Sequence, residues 1–315
     1  MIRLGLCCIF AKEPIKFRRT TAAYLKRRSK KKALEYLAEI AADNARSLSA
    51  ALTYCRDHGI GAFRINSQIL PLKTHPEVGY DLSDLPGHEQ IFSLFKDCGR
   101  FSRKYDIRTS FHPDQFVVLS SPKMSVVNNS IADLSYQAEV AGWVNADVIN
   151  IHAGGAYGDK SSALSRLSAV IRYLPERIRC RLTLENDDRT YTPRDLLPVC
   201  EKEGIPFVYD VHHHRCLPDG LTEKTVTQRA LGTWNREPLF HVSSPVFGWK
   251  GKNPRNHHDY VDPSDLPAEW IDLDITVDVE AKAKELAIER LLAWLRSGKY
   301  KGKPVDPAKI REAPL

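Results

Sequence analysis

Asp147–Gly158 reads DVINIHAGGAYG. Its apolar run, Val148–Ile151, is too short for a helix and rich in β-branched residues, so it reads as a buried strand. The strand ends on His152, and Gly154 and Gly155 beyond it let backbone and ligand approach closely. The same pattern recurs along the chain. Ile107–Phe111 runs into His112, Leu182–Leu184 into Glu185, and Phe207–Tyr209 into Asp210, with His213 close behind. Leu239–Phe240 runs into His241, and Ile275–Val279 into Glu280. Each polar residue sits at the C-terminal tip of an apolar strand.

Helical segments separate these strands. Ala33–His58 carries Leu34, Leu37, Ile40, Ala41, Leu48 and Leu52 on one face. Gln90–Tyr105, Asn128–Val144, Ser161–Leu174, Thr222–Leu231 and Ala281–Arg296 read the same way. Pro193–Glu203 has Pro at a first helical turn and Gly204 at its end. With Ile2–Leu6 and Ala62–Ile65, eight strands alternate with helices or long loops. Alternation of this kind implies parallel strands and right-handed crossovers. The prediction is α/β: one (β/α)8 TIM barrel over residues 1–297, with a metal site at its C-terminal face, where reactive residues of such barrels project. A doubly wound open sheet would not bring all six tips to one centre. Residues 298–315 read as a basic, Pro-containing tail.

The 315 residues are 43% hydrophobic and 27% charged, ordinary for a globular protein. No apolar stretch approaches the roughly 20 residues that span a bilayer, and the start MIRLGLCCIFAKEP is charged too early for a secretory signal. Seven Cys without a CxxC pair suit reduced cytosolic thiols, so a cytoplasmic location is expected. Neither GxGxxG nor GxxxxGK[ST] occurs, which leaves nucleotide-cofactor use without support. The net charge of +7 suits a polyanionic partner.

The tips carry imidazoles and carboxylates but no thiolate cluster, a donor set for divalent Zn, Mn or Fe. A central bridging Glu can hold two metals about 3.5–4 Å apart, which activate a water and stabilise a leaving alkoxide. Each residue alone has a plainer reading: His112 as a hydrogen-bonded strand end, His152 as part of a turn, Glu280 as a helix N-terminal charge. Their joint position at successive tips favours a metal centre. Only one or two of His212–His214 can point inward, and His213, three residues after Asp210, is the choice. Of His257 and His258, one is a candidate ligand with Asp259 as its orienter. His75 lies in a loop. Cations crowd the same tips: Lys160, Arg189, Arg215, and Lys250, Lys252 and Arg255 in a loop that also holds Phe247 and Trp249. Such interleaving suits a surface that neutralises phosphates and stacks on sugars or bases. Lys26–Lys32 is a further basic run, more simply read as a solvated approach to a helix.

RINSQILPL (64–72), SFHPDQFVVLSSP (110–122), VINIHAGGAYGDK (148–160), LTLENDD (182–188), FVYDVHHH (207–214), HVSSP (241–245), HHDYV (257–261) and VEAKAKE (279–285) together resemble the UV damage endonucleases, metal-dependent repair enzymes of the UvdE/UvsE type. The resemblance implies a TIM barrel related to the endonuclease IV-like barrels. It implies two or three divalent metals, manganese first, with zinc, magnesium or cobalt as alternatives. The implied ligands are His75, His112, His152, Glu185, Asp210, His213, His241, His257 and Glu280. Among them Glu185, Asp210, His241 and Glu280 would serve catalysis. The implied substrate is damaged double-stranded DNA, nicked immediately 5′ to cyclobutane dimers and 6-4 photoproducts to leave a 3′-hydroxyl and a 5′-phosphate. Gln115 and Phe116 would be pushed into the duplex at the lesion, where a dimer is easier to extrude than a normal step.

Three positions depart from that pattern. Leu6 stands where the family often has Tyr, Phe116 keeps a ring but lacks the hydroxyl, and Leu239 stands where some members carry Lys. They put details of lesion stacking and metal bridging in question. An abasic-site endonuclease of the same superfamily, a sugar isomerase and a catalytically dead DNA-binding barrel are the rival readings.

Overall fold

The computed structural model describes residues 1–300, 303–304 and 306–313. Eight parallel strands form one sheet: β1 (Ile2–Cys7), β2 (Ala62–Ile65), β3 (Arg108–Phe111), β4 (Ala146–His152), β5 (Leu182–Glu185), β6 (Phe207–Val208), β7 (Leu239–Val242) and β8 (Ile275–Val279). Their order is β6-β5-β4-β3-β2-β1-β8-β7. The remaining seam, between β6 and β7, is stitched by one parallel bridge, Asp210 to His241, and by the His241 N–H donating to the Tyr209 carbonyl at 3.0 Å. The sheet thus curls into a TIM barrel.

Local chemistry explains the element ends. Ser29 caps the helix Lys30–Asp57, so it starts three residues before the apolar stripe predicts. Thr192 and Asp195 form a capping box, Pro193 opens Pro193–Glu203, and Gly204 closes it at φ 63°. The last helix runs over Glu285–Arg296, shorter than the expected Ala281–Arg296. Ala-rich AKAK has helical propensity, but tertiary contacts override it. The Glu285 carboxylate is buried and accepts the N–H groups of Ala11 (2.7 Å), Lys12 (2.7 Å) and Glu13 (3.2 Å), which ties the loop after β1 to the helix start.

Side chains alternate across the strands, so every second residue faces the barrel interior. Toward the N-terminal end, Val148, Val208 and Leu239 form an apolar plug against Trp234. Full burial of such a side chain contributes about 1.5–3 kcal/mol. Leu239 therefore packs in the plug, and Leu6 is fully buried in the main core. Toward the other end the interior turns polar: Asn150, Glu185, Asp210, His241 and Asp278 are all buried. Of the expected separate tail, Ile310 bridges to Ile2, and Arg311 pairs with Asp106 (2.8 Å) and Glu237 (3.0 Å) at the N-terminal face. Residues 301, 302, 305, 314 and 315 of that tail lie outside the described residues. No helix among the described residues is long and apolar enough to cross a membrane.

Candidate metal centre

Glu185 ends β5 at 1% exposure, and the registers of the neighbouring strands deliver its partners. β4 pairs with β5 so that His152 sits opposite Glu185. Oε2 lies 2.9 Å from His112 Nε2, 3.9 Å from His152 Nε2 and 2.5 Å from the Asn150 amide nitrogen. Oε1 lies 3.1 Å from His241 Nδ1 and 3.4 Å from His213 Nδ1. One buried carboxylate is thus shared among four imidazoles.

Asp210 divides its two oxygens between folding and the site. As N-cap of the short helix Val211–Cys216, its Oδ1 accepts the His213 N–H at 2.7 Å, which swings His213 inward. Its Oδ2 is fully buried, has no hydrogen-bond partner, and points toward His213 Nδ1 (3.5 Å) and His241 Nδ1 (4.0 Å). An unpartnered buried carboxylate oxygen is costly unless it meets a cation. Asn186 braces the Asp210 backbone from both sides, accepting its N–H at 3.0 Å and donating to its carbonyl at 2.8 Å. His212 and His214 do other work. His212 Nδ1 faces the Ser243 carbonyl at 3.2 Å, and His214 lies between the Tyr209 hydroxyl (2.8 Å) and Asp219 (3.1 Å).

Across the mouth, Glu280 follows β8. Arg64 of β2 donates to its Oε1 at 2.5 Å, and His257 Nδ1 lies 3.7 Å from its Oε2. His257 is placed by its antiparallel bridge to Pro245. Two groups offer ligand atoms all within 4.8 Å of one another: His112, His152 and Glu185, and Glu185, Asp210 and His241. Glu185 belongs to both, as a carboxylate bridging two divalent cations would. The donor set fits such cations. His75 is not brought to them. In the loop after β2 its Nδ1 accepts the N–H of Glu77 (3.1 Å) and Val78 (3.4 Å), and among the described residues no polar contact joins it to the cluster.

The electrostatics follow from this crowding. Burial alone would raise Glu185, yet His241, His152, His112 and His213 hold it well below the usual carboxylate range. Burial opposes the charge on His241, but Glu185, Glu280 and Asp278 push it up to about 9. His152, desolvated and beside other imidazoles, is depressed. The metal-free centre therefore carries a proton on His241 between its ordinary value near 6.5 and about 9. The stabilisation it brings is fully present below that ordinary value and is lost as pH rises through about 9. A cation taken up at His241 would have to displace this proton. Adding Mn2+ to chelator-treated protein at pH 7.5 is expected to release protons, measured by calorimetry in buffers of different ionisation enthalpy. Metal affinity should rise with pH up to about 9. Buffer-independent heats would contradict this account.

Around the mouth, Phe116 is 79% exposed beside Gln115 in the loop after β3. That loop joins Cys8, Arg19, Arg64, His112 and Glu280 in lining an open cleft. Lys160 pairs with Asp195 at 2.9 Å, while Arg189 and Arg255 both lie against Asp188 (3.7 and 3.4 Å). Lys250 and Lys252 are exposed in the loop with Phe247 (69% exposed). Arg215 departs from the expected phosphate contact. Its guanidinium is held by Glu223 (2.7 and 2.9 Å) and by Asp265, and lies 5.5 Å over Trp249. It braces the loop from beneath, since its fork is spent on carboxylates. Four residues escape the sequence reading: Arg64, Asn150, Asn186 and Asp278. The period-2 alternation in AFRI (62–65) and VDVE (277–280) puts Arg64 and Asp278 on the same strand face as the site, but neither sits at a tip.

Comparison with known proteins places the fold and the family. A UV DNA damage endonuclease of Bacillus velezensis is 41% identical over 303 residues, covering 91% of each chain. One of Bacillus pumilus is 37% identical over 287 residues, covering 87% of each. The crystal structure of SacUVDE superimposes with a TM-score of 0.84 at 26% identity, over 94% of this chain and 99% of that one. Endonuclease IV of Thermus thermophilus (TM-score 0.57, 16% identity, 79% of this chain and 94% of that one) shares the fold. The family model described as UV-endonuclease UvdE matches residues 2–306, and the chain belongs to that family.

Proposed function

We propose that this enzyme is a metal-dependent endonuclease that nicks duplex DNA immediately 5′ to UV photoproducts, leaving a 3′-hydroxyl and a 5′-phosphate. Family membership supports an endonuclease acting on UV-damaged DNA. The observation that carries the chemistry is the buried Glu185 common to two donor groups, with the exposed Phe116 lining the same cleft as His112 and His152. His112, His152, Glu185, Asp210, His213, His241, His257 and Glu280 would hold the cations, two or three in number, with manganese as the first choice. Divalent cations supply Lewis acidity toward a phosphodiester oxygen and lower the pKa of water. The chain's own residues do the rest. Asn150 and Asn186 keep Glu185 and Asp210 in place. Lys160, Arg189, Lys250, Lys252 and Arg255, on loops beyond the strand tips, would meet phosphates.

Gln115 and Phe116 are the proposed probe. An exposed ring on the loop that follows His112 can fill the gap left by an extruded dinucleotide. Phe116→Ala is expected to lower kcat/KM on irradiated duplex roughly 10-fold or more, since stacking on one base is worth about 1–3 kcal/mol. Cleavage of a lesion placed in an open bubble, already unstacked, should change little. Equal losses on both substrates would argue against a wedge.

The overall reading is tested with three plasmids: irradiated, untreated and depurinated, each with and without Mn2+. Metal-dependent nicking of the irradiated one, with ends mapped to the phosphodiester 5′ to dimers, is the expected result. Preference for the depurinated plasmid would make it an abasic-site enzyme. Tight DNA binding with no nicking would make it a non-catalytic barrel.

A further inference from the structure

Asp278 lies two residues before Glu280 on β8 and shares its inward face. It is 1% exposed, and neither carboxylate oxygen has a hydrogen-bond partner. The nearest donors to its Oδ2 are His241 Nε2 at 3.8 Å and Arg64 Nη1 at 4.0 Å. His241 is fully buried, and its Nε2 likewise has no hydrogen-bond partner, while its Nδ1 faces Glu185. Space for the carboxylate is made by the neighbouring strand. A Cβ on Gly5, opposite Asp278 in the β1–β8 register, would fall 2.1 Å from Asp278 Oδ1.

A buried acid with no partner is costly, and so is a buried imidazole N–H. Here the two complementary groups face each other across one layer of the barrel. Movement of about 0.9 Å, within the reach of a side-chain torsion, brings 3.8 Å to hydrogen-bond length. Histidines that bind metals through one ring nitrogen commonly donate the other N–H to a carboxylate.

We propose that Asp278 is a positioning residue for His241: it accepts the Nε2–H, fixes that tautomer, and so aims the Nδ1 lone pair at a cation held with Glu185 and Asp210. This rests on the metal-centre reading above. Arg64 completes the layer, its guanidinium set between Glu280 and Asp278 so that neither acid is left without positive charge nearby.

The test compares wild type with Asp278→Asn and Asp278→Leu, each checked for folding by circular dichroism. Mn2+ affinity is measured by calorimetry on chelator-treated protein. Long-range 1H–15N spectra of the histidine rings are recorded on metal-free protein at about pH 10, above the value of about 9 at which His241 gives up its second ring proton, with His241→Gln used to assign the His241 signals. In wild type the His241 ring is expected in the Nε2–H form. Asp278→Leu is expected to lose that fixed tautomer and to bind Mn2+ roughly 10–100-fold more weakly. Asp278→Asn, which keeps an acceptor oxygen, should fall between. Gly5→Ala offers an independent displacement of the carboxylate and should weaken binding in the same direction. Unchanged affinity and unchanged His241 ring signals in Asp278→Leu would overturn the proposal. Should that variant fail to fold, the same result in Asp278→Asn would overturn it. A wild type that takes up no Mn2+ would instead sink the metal-centre reading itself.

Discussion

Glu185→Gln is expected to lose metal at both donor groups at once. The carboxylate is the only residue common to His112–His152–Glu185 and Glu185–Asp210–His241, so its charge is not duplicated elsewhere. The amide keeps the size and the Asn150 contact but removes the anion that four imidazoles surround. Metal-supplied charge stabilisation is worth several kcal/mol, and about 4 kcal/mol corresponds to roughly 1000-fold in rate. Nicking of irradiated DNA should therefore fall by about that factor or more at saturating DNA. Binding of the same DNA, which the proposed function assigns to the basic loops and not to Glu185, should change by less than about tenfold. Metal content by mass spectrometry and single-turnover nicking check this together. A Glu185→Gln protein that retains full metal content would refute the bridging role.

Arg64→Met is expected to produce the largest effect on stability. Arg64 and Glu280 retain only 13% and 15% of their side-chain exposure, and their contact is 2.5 Å. Burial opposes the charge on each, yet Glu280 is held well below the usual carboxylate range, with Arg64 the foremost opposing influence. Removing one partner of a buried pair costs about 3–5 kcal/mol, because the other charge is stranded. At the lower end of that range, Tm in chelator should fall by roughly 6 °C or more. Mn2+ should recover part of the loss, since a cation beside Glu280 replaces the missing guanidinium. Thermal unfolding with and without metal measures both effects. An unchanged Tm in chelator would show that Glu280 is well solvated and needs no partner.

Much of this architecture was legible from the chain. Ala62–Ile65 and Pro193–Glu203 have the same ends in sequence and structure, because their limits are set by local chemistry: glycine and proline punctuation and a capping box. The six strand-tip residues are legible for a related reason. A parallel barrel converts a position at the end of a strand into a position at its mouth. What sequence spacing does not convey is contact between distant segments. Arg215 looks like a free cation beside His213, but Glu223 and Asp265 claim it. AKAK looks helical, but the buried Glu285 ends that turn by gripping residues 11–13. His75 follows the family pattern in sequence, yet its loop folds back on itself. Arg64 and Asp278 sit inside strands, where a charged residue gives no hint of its partner until the barrel closes.

That closure has a consequence of its own. The β6–β7 seam hangs on Asp210 and His241, two of the groups proposed to hold a cation. An ion gripping both would act as a clasp across the weakest join of the cylinder. Its departure would let that join breathe first, before the apolar plug beneath it loosens. Catalytic loading and mechanical integrity are then one property of this molecule, and the amide of His241 is the reporter that would register both in hydrogen exchange.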